Sequence, residues 1–329
     1  MIDGFGRRID YLRISVTDRC DLRCRYCMAE KMTFLPRKDV LTLEEIAIIA
    51  DRFIARGVKK IRLSGGEPLV RRDFGELAHR IGRHLHSGAL EELTLTTNGT
   101  RLAQHAENLA AAGMKRINVS IDSLDPETYA YVTRGGDIAK VHEGLAAATA
   151  AGMRIKINMV AMKGLNDDHF LPMIEWCARQ GHDLTLIETM PLGDTGEDRT
   201  DRYIPLGEAV DQIEQRYSLE PIAYRSGGPA RYYESADLQG IRLGLITPLS
   251  DNFCAGCNRM RLTCEGKVFM CLGHENHVDF KTAYRERGMQ GVDEALDRAL
   301  VAKPLAHDFR ITPDGVSGVT QRHMSVTGG

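Results

Sequence analysis

The feature that most constrains this chain is a six-fold alternation of short β-rich runs with helical stretches between residues 11 and 190. The strand candidates are residues 11–16, 60–64, 93–97, 116–121, 155–160 and 184–188. Helix signals lie between them. Thr42 and Glu45 form a capping box ahead of an apolar periodic run that stops at Gly57. Asp125-Pro126-Glu127 opens another helix, with Pro at its first position. Gly113 and Gly152 stop the helices before the fourth and fifth strands. Six βα units in a row imply α/β architecture with a parallel sheet and helices outside it. An open sheet and a partial barrel satisfy the pattern equally. In both, the ligand site lies at the C-terminal ends of the strands. The chemistry-bearing motifs fall there. A cysteine group follows the first strand, Ser64-Gly65-Gly66-Glu67-Pro68 ends the second, Thr96-Thr97-Asn98-Gly99 ends the third and Ser120 ends the fourth.

After Met190 the pattern changes. A Gly- and Asp-rich stretch, 193–201, leads to one helix, then to shorter strand-like runs around a second cysteine group, a helical region and a small-residue tail. The expected division is residues 1–192 and 193–329.

Composition excludes some partners. With 43% apolar residues a full core is available, and a formal charge of -2 gives no bulk attraction to nucleic acid or anionic membrane. An anionic ligand must therefore meet a local basic pocket. No apolar run approaches membrane-spanning length and the first residues lack a signal-peptide core, so the chain reads as cytoplasmic. A reducing cytosol disfavours disulfides, which points clustered cysteines toward metal or redox chemistry. Of the eight cysteines only Cys177 stands outside the groups 20–27 and 254–271, and it reads as a small buried apolar residue.

The first group is C-x3-C-x2-C: Cys20, Cys24 and Cys27. Close thiolates in a loop hold zinc or an iron–sulfur cluster. Structural zinc wants four ligands, and no nearby His completes this set; zinc would need a remote fourth ligand. A four-iron cluster on three cysteines instead leaves one iron open for substrate. This spacing resembles the signature of the radical S-adenosylmethionine superfamily, over about residues 11–190. The resemblance implies an incomplete (β/α)6 TIM-type barrel, with a C-terminal extension of antiparallel strands carrying a second cluster. It also implies a [4Fe-4S] cluster whose open iron chelates S-adenosylmethionine, and whose electron splits it to methionine and a 5′-deoxyadenosyl radical. Gly65-Gly66-Glu67-Pro68 is similar to the superfamily segment that receives the methionine amino group, with Gly66 allowing close backbone approach and Glu67 offering a carboxylate. By the same resemblance Tyr26, Ser120 and Met190 contact the cofactor. Read one at a time they are a loop aromatic, a strand-end hydroxyl and a core methionine.

The second group offers Cys254, Cys257 and Cys271, with Arg259 and Arg261 between them. Cys264 would make a four-cysteine zinc row. However, Cys264-Glu265-Gly266-Lys267 has the composition of a hairpin tip, which lies away from the other three sulfurs. His274 and His277 read as polar surface histidines. Two triads, the run 11–18, residues 35–37, 65–73, 96–99, 117–122 and 254–261, and the final Gly-Gly together resemble the GTP 3′,8-cyclase family of molybdenum cofactor biosynthesis.

That resemblance implies two three-cysteine [4Fe-4S] clusters, the second facing the purine of GTP. It implies GTP contacts from Arg13, Arg62, Thr96, Lys156, Arg259, Met260 and Arg261, and catalytic roles for Arg13, Arg259, Arg261, Gly328 and Gly329. A triphosphate needs inward-pointing cations, which agrees with this set. A reductant protein, GTP as substrate and cyclic pyranopterin monophosphate synthase as recipient of the product are the implied partners; homodimer formation is left open. One departure is Thr185, where the family commonly has Arg; another is Cys264, which is outside the family pattern. The rival readings are a radical peptide-modifying maturase with an auxiliary cluster and a zinc-stabilised scaffold without catalysis.

Overall fold

The computed structural model describes residues 1–196, 201–238, 240–312, 315–317 and 320–328. In chain order the first half runs β1 (Tyr11–Ser15), α1 (Leu43–Ala55), β2 (Lys60–Ser64), α2 (Phe74–His86), β3 (Glu92–Thr97), α3 (Ala106–Ala111), β4 (Arg116–Ser120), α4 (Pro126–Thr133), α5 (Ile138–Ala150), β5 (Arg154–Ala161), α6 (Phe170–Gln180) and β6 (Asp183–Glu188). The second half runs α7 (Leu206–Glu214), β7 (Glu220–Ile222), β8 (Arg231–Glu234), β9 (Leu243–Ile246), β10 (Arg259–Leu262), β11 (Lys267–Phe269), β12 (His277–Asp279), α8 (Phe280–Val301), β13 (Arg310–Thr312), β14 (Gly315–Ser317) and α9 (Met324–Thr327).

All six expected strands form within a residue of the expected bounds. Thr42 caps α1 through Glu45 N–H, and the Glu45 side chain caps back. Asp125 caps α4 with Pro126 at its first position.

One sheet takes the order β12-β11-β10-β1-β2-β3-β4-β5-β6-β9-β8-β7. β1 to β6 are parallel neighbours, and the sheet keeps two free edges, so the barrel is incomplete. The C-terminal region extends both flanks: β10 pairs parallel with β1, β9 pairs parallel with β6, and antiparallel partners continue outward from each. Strands β7 to β12 of the C-terminal region are thus hydrogen-bonded into the same sheet, whereas β13 and β14 pair only with each other.

Period-2 alternation sorts the faces. Leu12, Ile14, Ile61, Leu63, Met260 and Leu262 lie in the hydrophobic core with Ile49, Phe53 and Phe280 from the helices. The alternate residues line the concave side. Register then creates a row of like charge, because Arg13 is opposite Arg62 on β2 and Arg261 on β10. Cations directly opposite one another destabilise a sheet, so a row of three belongs to a site that awaits negative charge.

Candidate functional site

A cavity of about 270 Å³ opens on the concave side and is lined by both cysteine triads. Residues from β1, β10 and β9 all face it, which requires the sheet to curl until its two flanks share one lumen.

The first triad lies on the loop after β1. Leu22 N–H points to Cys20 Sγ at 3.4 Å, while Cys27 and Met28 N–H groups both donate to Cys24 C=O. Asp21, inside the motif, anchors the loop to the end of β3. It accepts from Asn98 Nδ2 and Thr100 Oγ1, each at 2.8 Å, and from Arg101 Nε at 3.3 Å. Arg23 and Arg25 N–H groups dock on Thr133 and Val132 carbonyls at the end of α4. The Tyr26 hydroxyl donates to Asp122, whose other partner is Val160 N–H at 2.9 Å. Burial raises the Cys20 and Cys24 thiols, and neighbouring carboxylates add to this: chiefly Glu67 for Cys20 and Asp122 for Cys24.

Gly65 and Gly66 line the cavity because the loop lies against residues 17–19; a Cβ on Gly65 would stand 2.6 Å from Thr17 O. Glu67 behaves differently from the sequence reading. Its carboxylate turns inward and accepts from Leu69 N–H (3.0 Å), Thr97 Oγ1 (2.8 Å) and Asn98 N–H (2.7 Å), so it braces the ends of β2 and β3. What this segment offers the cavity is its glycine backbone. Tyr26, Ser120 and Met190 all line the cavity.

The second triad sits in a different environment. Cys254 and Cys257 bracket a 3-10 turn, and Cys271 follows β11. Arg7, fixed by Asp3, donates to Cys254 C=O at 2.9 Å. Lys303 Nζ lies 3.5 Å from Cys257 Sγ. Although burial opposes ionisation, Arg259 and Lys303 bring the Cys257 thiol down to about 7. Cys264 is fully buried at the β10–β11 turn and is not among the cavity-lining residues, in keeping with the hairpin argument. Cys177 is buried in the core.

Among the described residues no three His, Cys, Asp or Glu side chains close tightly enough for a single metal ion. In each group all three thiols line the cavity, and a three-thiol donor set suits an iron–sulfur cluster. Both donor sets fit that group.

Between the triads lies the basic row. Arg13 donates weakly to Ser64 Oγ (3.4 Å) and Thr96 Oγ1 (3.5 Å). Burial first, then Arg261 and Arg62, hold Arg13 well below the ordinary arginine range; burial and Arg259 bring Arg261 to about 10. Arg62 Nε is buried without a hydrogen-bond partner. Among the described residues none of Arg13, Arg62, Lys156, Arg259 and Arg261 has an acidic partner at ion-pair distance. Lys156 is set back from the lining. Its ammonium donates to Tyr232 Oη at 2.5 Å, and that hydroxyl donates to Ser226 Oγ at 2.7 Å. Met260 requires a correction as a side-chain contact: it points into the hydrophobic core with Leu12 and Leu262, leaving only backbone toward the lumen. Thr185 is fully buried, and its hydroxyl has no partner.

The C-terminal tail enters the site. Gly328 C=O accepts from Arg261 Nη1 at 3.1 Å, and its φ of +80° lets it rest on Ser64 and Arg13. Gly329 lies outside the described residues. Sequence reasoning did not select Arg7, Asp21, Tyr232 or Lys303 for the site. Asp21 had a signal, a carboxylate inside the cysteine motif; a lone Lys after a helix has none.

Two family models divide the chain: the Radical SAM superfamily over residues 14–177 and Molybdenum Cofactor Synthesis C over 182–309. The GTP 3′,8-cyclase of Erythrobacter litoralis is 55% identical, with 100% of this chain and 98% of that protein covered. That of Rhizobium meliloti is 52% identical, covering 100% and 94%. Among solved structures, Streptococcus suis SuiB bound to S-adenosylmethionine has a TM-score of 0.57 at 16% identity, over 83% of this chain and 63% of SuiB. Native anSMEcpe with bound AdoMet has a TM-score of 0.58 at 16% identity, over 86% and 80%. At that identity the two structures speak for the fold alone. Among the described residues, no helix is long and apolar enough to cross a membrane.

Proposed function

The chain belongs to the GTP 3′,8-cyclase family of radical S-adenosylmethionine enzymes, and on that premise we propose which of its residues carry the reaction. The enzyme cyclises GTP to (8S)-3′,8-cyclo-7,8-dihydroguanosine 5′-triphosphate, the first step of molybdenum cofactor biosynthesis.

Cys20, Cys24 and Cys27 would hold a [4Fe-4S] cluster, which would supply the electron for reductive cleavage of S-adenosylmethionine. Gly66, Tyr26, Ser120 and Met190 shape the pocket for the sulfonium cofactor. Glu67 acts as the brace behind that pocket. Cys254, Cys257 and Cys271 would hold a second cluster of the same kind.

GTP lies between them. Arg13, Arg62, Arg259 and Arg261 face it with positive charge and Thr96 with its hydroxyl, Lys156 stands behind them on Tyr232, Met260 contributes backbone, and the Gly328 carbonyl on Arg261 and the final residue, Gly329, complete the proposed set. The observation that carries this reading is the in-register row Arg62–Arg13–Arg261, half-buried and, among the described residues, without carboxylate partners, on the wall shared by both triads. Desolvated cations in fixed positions stabilise a triphosphate and any charge that develops during ring closure without reorganisation. A reductant protein delivers the electron, and the product passes to cyclic pyranopterin monophosphate synthase.

The test is anaerobic reconstitution followed by incubation with GTP and S-adenosylmethionine. Deoxyadenosine and the cyclised nucleotide should form together. Loss of the first triad should abolish both, whereas loss of the second should spare the fold and remove the cyclised product. Deoxyadenosine formed with GTP untouched overturns the residue assignment.

A further inference from the structure

Lys303 is almost fully buried, at 2% exposure, just beyond the end of α8. Burying an ammonium is costly unless every proton is placed and the charge is matched. All three protons are placed: on Cys257 Sγ at 3.5 Å, on Arg259 C=O at 2.9 Å and on Met270 C=O at 2.6 Å. These acceptors are a ligand of the second triad, the residue two positions after it and the residue immediately before Cys271. The charge has no carboxylate match, since among the described residues Lys303 makes no ion pair with Asp or Glu. The negative partner within reach is the sulfur of Cys257.

The charge nearest the thiols differs between the triads: Glu67 and Asp122 stand by Cys20 and Cys24, whereas Lys303 and Arg259 stand by Cys257; an arginine meets a cysteine carbonyl in both, Arg23 on Cys20 at 2.6 Å and Arg7 on Cys254 at 2.9 Å.

We propose that Lys303 is a positioning residue of the second cysteine triad, clamping the segments that carry Cys257 and Cys271 and compensating the negative charge of the iron–sulfur group they hold. The inference rests on the second-cluster reading above and goes beyond it. Hydrogen bonds to cluster sulfurs and nearby charge are principal means by which a protein sets cluster potential. A cation at Cys257 favours the more negative, reduced state, so Lys303 raises the potential of this cluster.

The experiment uses full-length protein in which Cys20, Cys24 and Cys27 are Ala, so that any remaining cluster belongs to the second triad. Iron and sulfide are counted per chain, and the midpoint potential is measured by an electron-spin-resonance-monitored redox titration. An iron-free parent overturns the second-cluster reading and the inference with it. In an iron-loaded parent, Lys303→Met should move the midpoint to lower potential or lose iron while the far-ultraviolet circular dichroism stays native. Lys303→Gln keeps two donors without the charge. It should retain more iron than Lys303→Met and show the same downward shift. Iron and potential both unchanged in Lys303→Met and Lys303→Gln overturn the proposal and leave the cluster reading standing.

Discussion

Arg261 Nη1 donates to the carbonyl oxygen of Gly328 at 3.1 Å, which ties the second-last residue of the chain to the third cation of the Arg62–Arg13–Arg261 row. A terminus is usually free to fray. Here Ser15 Oγ also donates to Ser325 C=O at 3.4 Å, so the last helix is held against β1 and the tail is delivered into the lumen.

Gly328→Ala tests that delivery. The position has φ of +80° and an added Cβ would overlap the Ser64 hydroxyl. The tail should be displaced while the barrel stays folded, with Tm nearly unchanged. Cyclised product should fall by about 10²-fold, the scale of a misplacement near 1 Å, while deoxyadenosine formation persists. Chromatographic quantification of both products checks it; equal loss of both would show that the tail serves cofactor cleavage instead.

Tyr232→Phe tests the seat of Lys156. The variant removes the hydroxyl that accepts from Lys156 at 2.5 Å and donates to Ser226. A buried ammonium deprived of a partner loses about 1.5–3 kcal/mol. If that loss is felt in GTP binding, KM for GTP rises about tenfold or more, with kcat within about twofold because Tyr232 does not line the cavity. Steady-state kinetics separates the two parameters.

Thr185→Val addresses the departure from the family's Arg. The hydroxyl is buried at 0% exposure with no hydrogen-bond partner, and Gly244 lies opposite it on β9. Replacing an unsatisfied hydroxyl by a methyl of similar shape should stabilise by about 1 kcal/mol, raising Tm by about 1–3 °C. KM for GTP should not change, since Thr185 does not line the cavity. A raised KM would show that this threonine reaches substrate.

Thiol chemistry of the iron-free protein should single out Cys257. Its thiol is brought down to about 7, whereas burial raises those of Cys20, Cys24 and Cys271. Reaction requires the thiolate, so a lowered value means that alkylation of Cys257 rises through neutral pH and is near its plateau by pH 8. Cys20 and Cys24 should stay unreactive there. Mass-spectrometric mapping after brief iodoacetamide treatment measures this. Cys20 labelled ahead of Cys257 at pH 7 would contradict the charge asymmetry between the sites.

Much of the barrel was legible before the structure. The six strand runs, the Thr42–Glu45 box and the Asp125 cap depend on neighbours within a few residues, and such signals survive in one dimension. The first cysteine group is compact for the same reason, its three sulfurs lying on one loop, whereas Cys271 follows β11 and reaches the cavity with Cys254 and Cys257 only through the β10–β11 hairpin. Other contacts had no such signature. Glu67 looked like a carboxylate aimed at an ammonium, yet three donors from β2's own loop and the end of β3 turn it inward, and that choice depends on which strands become neighbours. Met260 fell within a segment read as substrate-contacting. Its side-chain direction follows from strand parity, which is fixed only once β10 pairs with β1 in the register Leu12 opposite Met260.

Sequence alone offered the two cysteine groups, residues 20–27 and 254–271, as candidate donor sets, because the chemistry of a thiol and its spacing along the chain do not depend on folding. Tertiary structure decided the rest. It brought β10 to β1 across almost the whole chain, aligned three arginines without a counter-charge, set carboxylates around one triad and Lys303 against the other. These are relations between residues as far as 248 positions apart, such as Asn258 with Asp10. They come from strand order, register and burial, and no local pattern of residues encodes those three.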